Sequence, residues 1–314
     1  MPYFLRRLAG LLATIFGISI VVFAIMNVLP GDPALSMLGI DSTADARAAL
    51  REQLGLNAPA WQRYFEWMGG LLRGDFGTSY SFRIPVAQLI AERIPVTLFI
   101  ALLATLLTVT LATLLGVFAA ANHNKPGDWV TMIVSQLGIA IPAFWLALLL
   151  VLLFAVNLRW LPPGGFPGWS DPGAALKAVI LPSVSLALVQ SAVLARVTRA
   201  SVLEVMRLDY VRTARALGLS RWRVLFRHVL PNALIPMVTI AGMQLANLVT
   251  GTIVIENVFF LPGLGGLLFQ SIGNRDLFTV QALVMLFALI VVVSSFVVDM
   301  LYMLIDPRLR ERRA

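Results

Sequence analysis

Six stretches of this chain run for 18 residues or more without a Lys, Arg, Asp or Glu: Leu8–Gly31, Ile94–Asn124, Trp129–Leu158, Ala178–Ala195, Val229–Ile255 and Leu277–Val298. About 20 apolar residues cross the hydrocarbon core of a bilayer as a helix. Backbone N–H and C=O groups inside lipid must be satisfied within the segment, which selects helices for all six. The hydrophobic content of 59% agrees, since soluble domains hold about 45–50%. The sequence therefore predicts an all-α membrane protein with six transmembrane helices. The shortest run, Ala178–Ala195, also contains Pro182 and is the weakest of the six.

The net charge of +8 is explained by topology rather than by nucleic acid. With the N-terminus cytoplasmic, fifteen of the 24 Lys and Arg residues fall on the cytoplasmic side. They are Arg6 and Arg7, Lys125, eight arginines from Arg196 to Arg227, and four from Arg308 to Arg313. That bias is the expected one, and the long segment after the first span counts little towards it. Arg6-Arg7 and the run that follows read as a retained first helix, because the run exceeds a signal-peptide h-region. There is no cysteine, so disulfides and thiolate metal sites are excluded.

One stretch breaks the apolar pattern. Leu203–Pro231 carries six arginines between Arg207 and Arg227. A short amphipathic helix ending near Leu217 would set Leu208, Val211 and Ala214 on one side and Arg212 and Arg215 on another. Gly218 stands where a left-handed helix stop is expected. Ser220 is placed to cap a second helix, Arg221–Leu230. These residues predict an elbow of two helices between two spans; a lipid-held basic loop is the plainer alternative.

The spacing from Arg212-Thr213-Ala214 through Gly218 to Leu230-Pro231 resembles the elbow of ABC-importer permeases, whose pattern is E-A-A, three residues, Gly, nine residues, I-x-L-P. Arg212 stands in the Glu place and His228 in the Ile place. Asp209-Tyr210-Val211-Arg212-Thr213-Ala214-Arg215-Ala216, followed by Gly218-Leu219-Ser220, is similar to the dipeptide and oligopeptide branch, apart from Leu217. The resemblance extends over most of the chain. It includes Met26-Asn27 through Pro33-Ala34, Gln53-Leu54-Gly55-Leu56, Gly74-Asp75-Phe76-Gly77-Thr78-Ser79, Glu256-Asn257-Val258-Phe259, Leu261-Pro262-Gly263-Leu264-Gly265, Arg275-Asp276 and Asp306-Pro307-Arg308.

Between these landmarks the chain divides into a first span (1–31), an outer segment (32–94), a permease domain (95–306) containing the elbow (203–231), and a tail (307–314). In the outer segment, Ser42 is placed to cap a helix with Asp45 near its start and Gly55 at its end. Trp61, Tyr64, Phe65, Met68 and Leu72 then recur at helical spacing and suit an interface. That segment is either a docking surface for a delivery protein or a lid over the helices. Gly138 to Phe144, with Pro142, permits close packing, a kink or a pore lining in the third helix. Gln244, Asn247, Thr250 and Thr252 are polar within the fifth span. They face a permeating solute or a neighbouring helix rather than lipid.

The missing motifs are informative. A phosphate loop requires G-x-x-x-x-G-K-[ST], and neither Lys125 nor Lys177 sits in one. His123 and His228 lie in or beside hydrophilic turns without an H-E-x-x-H pattern, so no metal chemistry and no catalytic residue are expected. No charge lies deep in the six runs, which argues against an ion-coupled carrier.

The resemblance implies a type I ABC-importer permease fold with an extended outer segment after the first helix, in the bacterial inner membrane with both termini cytoplasmic. It implies a second homologous permease, two ATPase subunits holding ATP and Mg, an outer solute-binding protein and a peptide or related small solute. The chain itself would bind no cofactor and no nucleic acid, and its other neighbour would be membrane lipid. Asp209, Tyr210, Arg212, Thr213, Ala214, Arg215, Gly218 and Ser220 would form the joint with the ATPases, and Arg207, Arg215 and Arg221 would meet acidic groups there. Gln244, Asn247, Thr250, Glu256 and Asn257 would lie along the solute path. The alternatives are an ATP-independent carrier or channel and a membrane scaffold.

Overall fold

A computed structural model describes residues 2–28, 33–39, 41–53 and 55–305. The exit turn Leu29-Pro30-Gly31-Asp32, Leu54, the Asp306-Pro307-Arg308 motif and the tail lie outside the described residues. Among the described residues the regular structure is helical, with an isolated β-bridge pairing Thr78 and Pro85. In chain order the helices are α1 (Pro2–Val28), α2 (Pro33–Leu38), α3 (Ala44–Gln53), α4 (Ala60–Leu72), α5 (Val86–Ala121), α6 (Pro126–Ala140) and α7 (Ala143–Leu150). They continue as α8 (Pro172–Val205), α9 (Asp209–Ala216), α10 (Arg221–Val224), α11 (Leu230–Val258), α12 (Leu264–Gly273) and α13 (Leu277–Ile305).

Five of these are long and apolar enough to cross a membrane: α1, α5, α8, α11 and α13. The sixth span is the pair α6–α7, bent by 105° at its break. The proline is the cause. A residue before proline is driven out of the α region, and Ile141 is extended at φ −88°, ψ 125°. Of the readings open for Gly138–Phe144, the backbone adopts a break, sharper than a kink. The second half relaxes into a π-helical turn over Val151–Asn157.

The chain forms two compact units. The first comprises Met1–Thr97 with Pro262–Val293. Here α4 lies against α1 through Tyr64, whose hydroxyl shares a 2.8 Å hydrogen bond with Ser19 Oγ and whose ring meets Phe23 edge-on at 5.4 Å. Tyr64 is therefore buried, whereas Trp61, Phe65 and Leu72 of the same predicted face are exposed. Helix α3 starts after Thr43, not Ser42. Thr43 Oγ1 accepts the Ala46 N–H, while Ser42 Oγ turns back to the Gly39 carbonyl at 2.7 Å. The 79–81 turn is tied to the start of α13 by the fully buried Asp276. Its carboxylate accepts hydrogen bonds from Ser79 Oγ, from the Ser81 N–H and from Thr279 Oγ1, the last at 2.9 Å.

The second unit comprises Leu98–Leu261 with Ser294–Ala314 and is built around α8. This is the span that looked weakest in sequence. It runs 34 residues, and 67% of its apolar window is buried, more than in α1, α5, α11 or α13. Its small residues explain this. Ala178, Ser183, Ser185, Ala187, Ser191, Ala192 and Ala195 let α6, α7 and α11 approach closely. The Ser185 hydroxyl donates to the Pro182 carbonyl at 2.7 Å, and the helix continues through the proline. At the α5–α8 crossing, a Cβ on Gly116 would stand 2.6 Å from Thr198 Cβ and 2.7 Å from the Ala195 carbonyl oxygen. Only glycine permits that approach.

Candidate functional site: the arginine-bearing elbow

The elbow begins where α8 ends. Leu208 is extended (φ −69°, ψ 147°) and precedes α9, with Asp209 in its first turn and Arg215 in its last. Those charges complement the helix dipole. Val211 and Ala214 are buried, but Leu208 is 46% exposed, because it lies before the helix rather than on its inner face. The buried side packs into a core of Ala120, Val202, Val224, Leu225, Val229 and Ala233. The underside of the elbow is thus shared with the ends of α5 and α8 and the start of α11.

Helix α9 stops as the sequence predicts. Gly218 has φ +80°, and its N–H reaches the Arg215 carbonyl at 3.0 Å. No atom lies within 4 Å of a Cβ built there, so the requirement for glycine is conformational, not steric. Ser220 Oγ then accepts the Arg223 N–H at 3.4 Å. The second arm differs from expectation. Helix α10 does not end at Leu230. It passes through a π-helical turn, Leu225–Val229, into α11, because Leu225 to Leu230 all keep helical torsions. The elbow is one short free helix followed by an extension of the fifth span.

Tyr210 braces these two parts. Its hydroxyl donates to the His228 carbonyl at 3.2 Å and receives Asn232 Nδ2 at 3.1 Å. Arg221 is exposed and donates one hydrogen bond to the Ala121 carbonyl at the end of α5. Arg207, Arg212, Thr213, Arg215 and Ser220 are exposed, with Leu217 at the tip 78% exposed. Arg212 leans towards Asp209 at 3.5 Å, and both are largely solvated, so this contact contributes about 0–1 kcal/mol. Beside them Trp222 and Phe226 stack with ring centroids 5.9 Å apart.

A second cluster ties α8 to the α5–α6 turn. Asp128, in the first turn of α6, takes two hydrogen bonds from Arg199 of α8, Nε to Oδ1 at 2.6 Å and a terminal nitrogen to Oδ2 at 2.7 Å. The Asn124 N–H adds a third at 3.1 Å, and His123 Nδ1 lies 3.3 Å from Oδ2. The side chain of Asp128 is 5% exposed. The turn that Asp128 closes is thus joined to α8, while its neighbour Ala121 is held by Arg221. Together these contacts form a ring from α8 through the α5–α6 turn to α10. Asp128 and Arg199 carry no local signal, being 71 residues apart, although an Asp after Pro126-Gly127 marks a helix start.

The residues expected along a solute path separate into two sets. Asn247, Thr250 and Asn257 lie with Met243 and Val254 on one exposed stripe of α11 at helical spacing. Gln244, Thr252 and Glu256 point inward and are buried. Thr252 Oγ1 donates to its own helix at the Val249 carbonyl, 2.7 Å away.

Residues 112–311 match the family described as binding-protein-dependent transport system inner membrane component, and residues 1–101 match the N-terminal region of such membrane components. The chain belongs to this family. It is a multi-pass ABC-importer permease. It is 40% identical over 310 residues to the glutathione transport system permease protein GsiC of Escherichia coli (strain K12), covering 99% of both chains. It is also 40% identical over 307 residues, 98% of both chains, to a protein of Brucella abortus (strain 2308) that bears the name of a peptide transport system permease. The fold matches the membrane subunits of solved transporters. A methionine ABC transporter, MetNI, in an inward-facing form gives a TM-score of 0.59 at 16% identity, over 70% of this permease and 97% of that chain. An amino acid ABC transporter gives 0.52 at 16% identity, over 68% and 93%.

Proposed function

We propose that the permease is one of two transmembrane subunits of an ATP-driven importer of short peptides in the bacterial inner membrane, with both termini cytoplasmic. The peptide cargo is supported by the names of the relatives that align along nearly the whole chain, a peptide and a glutathione transport system permease. ATP and Mg would be held by two separate ATPase subunits, since this chain lacks a phosphate loop. An outer solute-binding protein would deliver the peptide.

The observation that carries the mechanism is the two-sided elbow. Its buried side is continuous with the ends of α5, α8 and α11, and its exposed side presents Arg207, Arg212, Thr213 and Arg215. A push on α9 is therefore delivered to three spans at once. Tyr210, Asp209, Ala214, Gly218 and Ser220 set the shape of α9 and its exit. Closure of the ATPases would move the elbow, and the α11 stripe of Asn247, Thr250 and Asn257 would face the path that opens, with Gln244 and Glu256 behind it.

The test is purification through a tag on this chain with its neighbouring genes co-expressed. An ATPase should co-purify, and its activity should rise with a peptide-loaded binding protein. A pure chain without ATPase that still moves solute would overturn the reading.

A further inference from the structure

The first unit contains a cleft of about 740 Å³. That is within the usual range of about 300–1,000 Å³ for small-molecule sites. It is lined from α1, Arg51 of α3, the 55–57 loop, α4, the 75–80 loop and the start of α13, all within one unit. Its chemistry is not that of a packing defect. Arg63 on α4 gives one terminal nitrogen to Asn27 Oδ1, while its Nε is shut off from solvent with no hydrogen-bond partner. A charged donor left in that state is costly, and an anionic oxygen relieves the cost. Gln281, only 7% exposed, presents a buried amide to the same space.

Two carboxylates also line the cleft: Glu66, whose Oε1 accepts the Gln62 amide at 2.9 Å, and Asp75, past the end of α4. The Asp75 N–H bonds to the Gly70 carbonyl at 2.9 Å, which seats Asp75 beside Gly70. Gly70 is seven residues from Arg63, so the two charges are separated by about 10 Å along α4 at 1.5 Å per residue. Asp75 Oδ1 accepts the Gly77 N–H at 2.9 Å, and the second oxygen is outside that bond. Trp67 and Phe278 form apolar walls between the charged ends. Burial, and then the charge of Asp276, raise the Tyr80 phenol above its ordinary range, so that wall stays neutral. Three extended residues span about 10 Å.

We propose that this cleft binds a short peptide of two to three residues with both termini free. Arg63 takes the α-carboxylate, Asp75 takes the α-ammonium, and Trp67 and Phe278 flank the side chain between them. The inference rests on the peptide-import reading and adds a receiving site on the permease itself.

The experiment measures equilibrium binding of labelled Ala-Phe-Ala, its C-terminal amide and its N-acetyl form to the permease–ATPase complex in nanodiscs, without binding protein. The wild type should bind the free tripeptide at least tenfold more tightly than either blocked form. Arg63→Gln should lose the discrimination against the amide and keep that against the acetyl form; Asp75→Asn should do the reverse. Arg63→Lys, which keeps charge but not the planar fork, should restore part of the first. Equal binding of all three peptides by the wild type overturns the proposal, as does full discrimination against the amide in assembled Arg63→Gln complex. ATPase stimulation by peptide-loaded binding protein, added to the same complexes after the binding measurement, separates the two readings. If stimulation persists without discrimination, the cleft assignment alone fails; if stimulation is absent, the peptide reading fails with it.

Discussion

Replacing Asp128 with Asn keeps the shape of the side chain and removes its charge. The carboxylate accepts from Arg199 at 2.6 and 2.7 Å and from the Asn124 N–H at 3.1 Å. An amide retains one acceptor and turns its NH₂ towards an arginine donor, so one charge-assisted bond of about 1.5–3 kcal/mol is lost. The cost stays below the roughly 3–5 kcal/mol of breaking a fully buried pair, because the Arg199 side chain is 23% exposed and regains some water. We expect Asp128→Asn and Arg199→Gln each to destabilise the purified permease by about 2 kcal/mol, with the double variant about 1–2 kcal/mol less destabilised than the sum. The assay is unfolding of the four proteins in mixed detergent, with ATPase stimulation measured alongside. Because the pair holds α8 to the turn next to the Arg221–Ala121 contact, stimulation should fall in step with stability. Additive effects, or single losses below about 0.5 kcal/mol, would refute the clamp.

Three further outcomes follow from the geometry. At Gly218 the φ of +80° costs an L-residue about 1–2 kcal/mol, and the empty surroundings add no clash, so transport should fall in the order Gly, Asn, Ala, Val while membrane insertion is unchanged. Gly116→Ala should cost about 1–3 kcal/mol by overpacking. Adding Thr198→Gly should recover only part of it, since the Ala195 carbonyl stays in place; thermal unfolding reads both. Asp276→Ala should strand the Ser79 and Thr279 hydroxyls and cost about 2–4 kcal/mol. Faster hydrogen exchange in residues 79–82 should report it.

The six spans and the stop at Gly218 were legible because they depend on local properties, namely apolar length and the left-handed torsion that only glycine adopts freely. Local signals misled where tertiary packing competed. Pro142 and Pro182 look alike in sequence, yet one breaks its helix by 105° and the other is carried through a 34-residue span. The difference is that α8 is enclosed by neighbours along its length, whereas α6 and α7 carry large exposed apolar residues such as Trp129, Leu137 and Leu148. Ser42 and Thr43 compete for one cap, and the hydroxyl that reached the Ala46 N–H won. The bond from Arg221 to the Ala121 carbonyl has no local signal, because its acceptor is 100 residues away. The Asp128–Arg199 and Ser79–Asp276 pairs are hidden for the same reason. Contacts across 71 and 197 residues leave no periodicity to read.

The central claim is that the tip of the elbow touches an ATPase subunit. The chain has no cysteine, so single cysteines can be introduced on a clean background. Leu217→Cys sits at the exposed tip and Trp61→Cys on α4 is similarly accessible, at 78% and 66% exposure in the native residues. We predict that a short bifunctional cross-linker joins position 217, and not position 61, to the co-purified ATPase. No cross-link from 217, or equal cross-linking from both positions, would contradict the account.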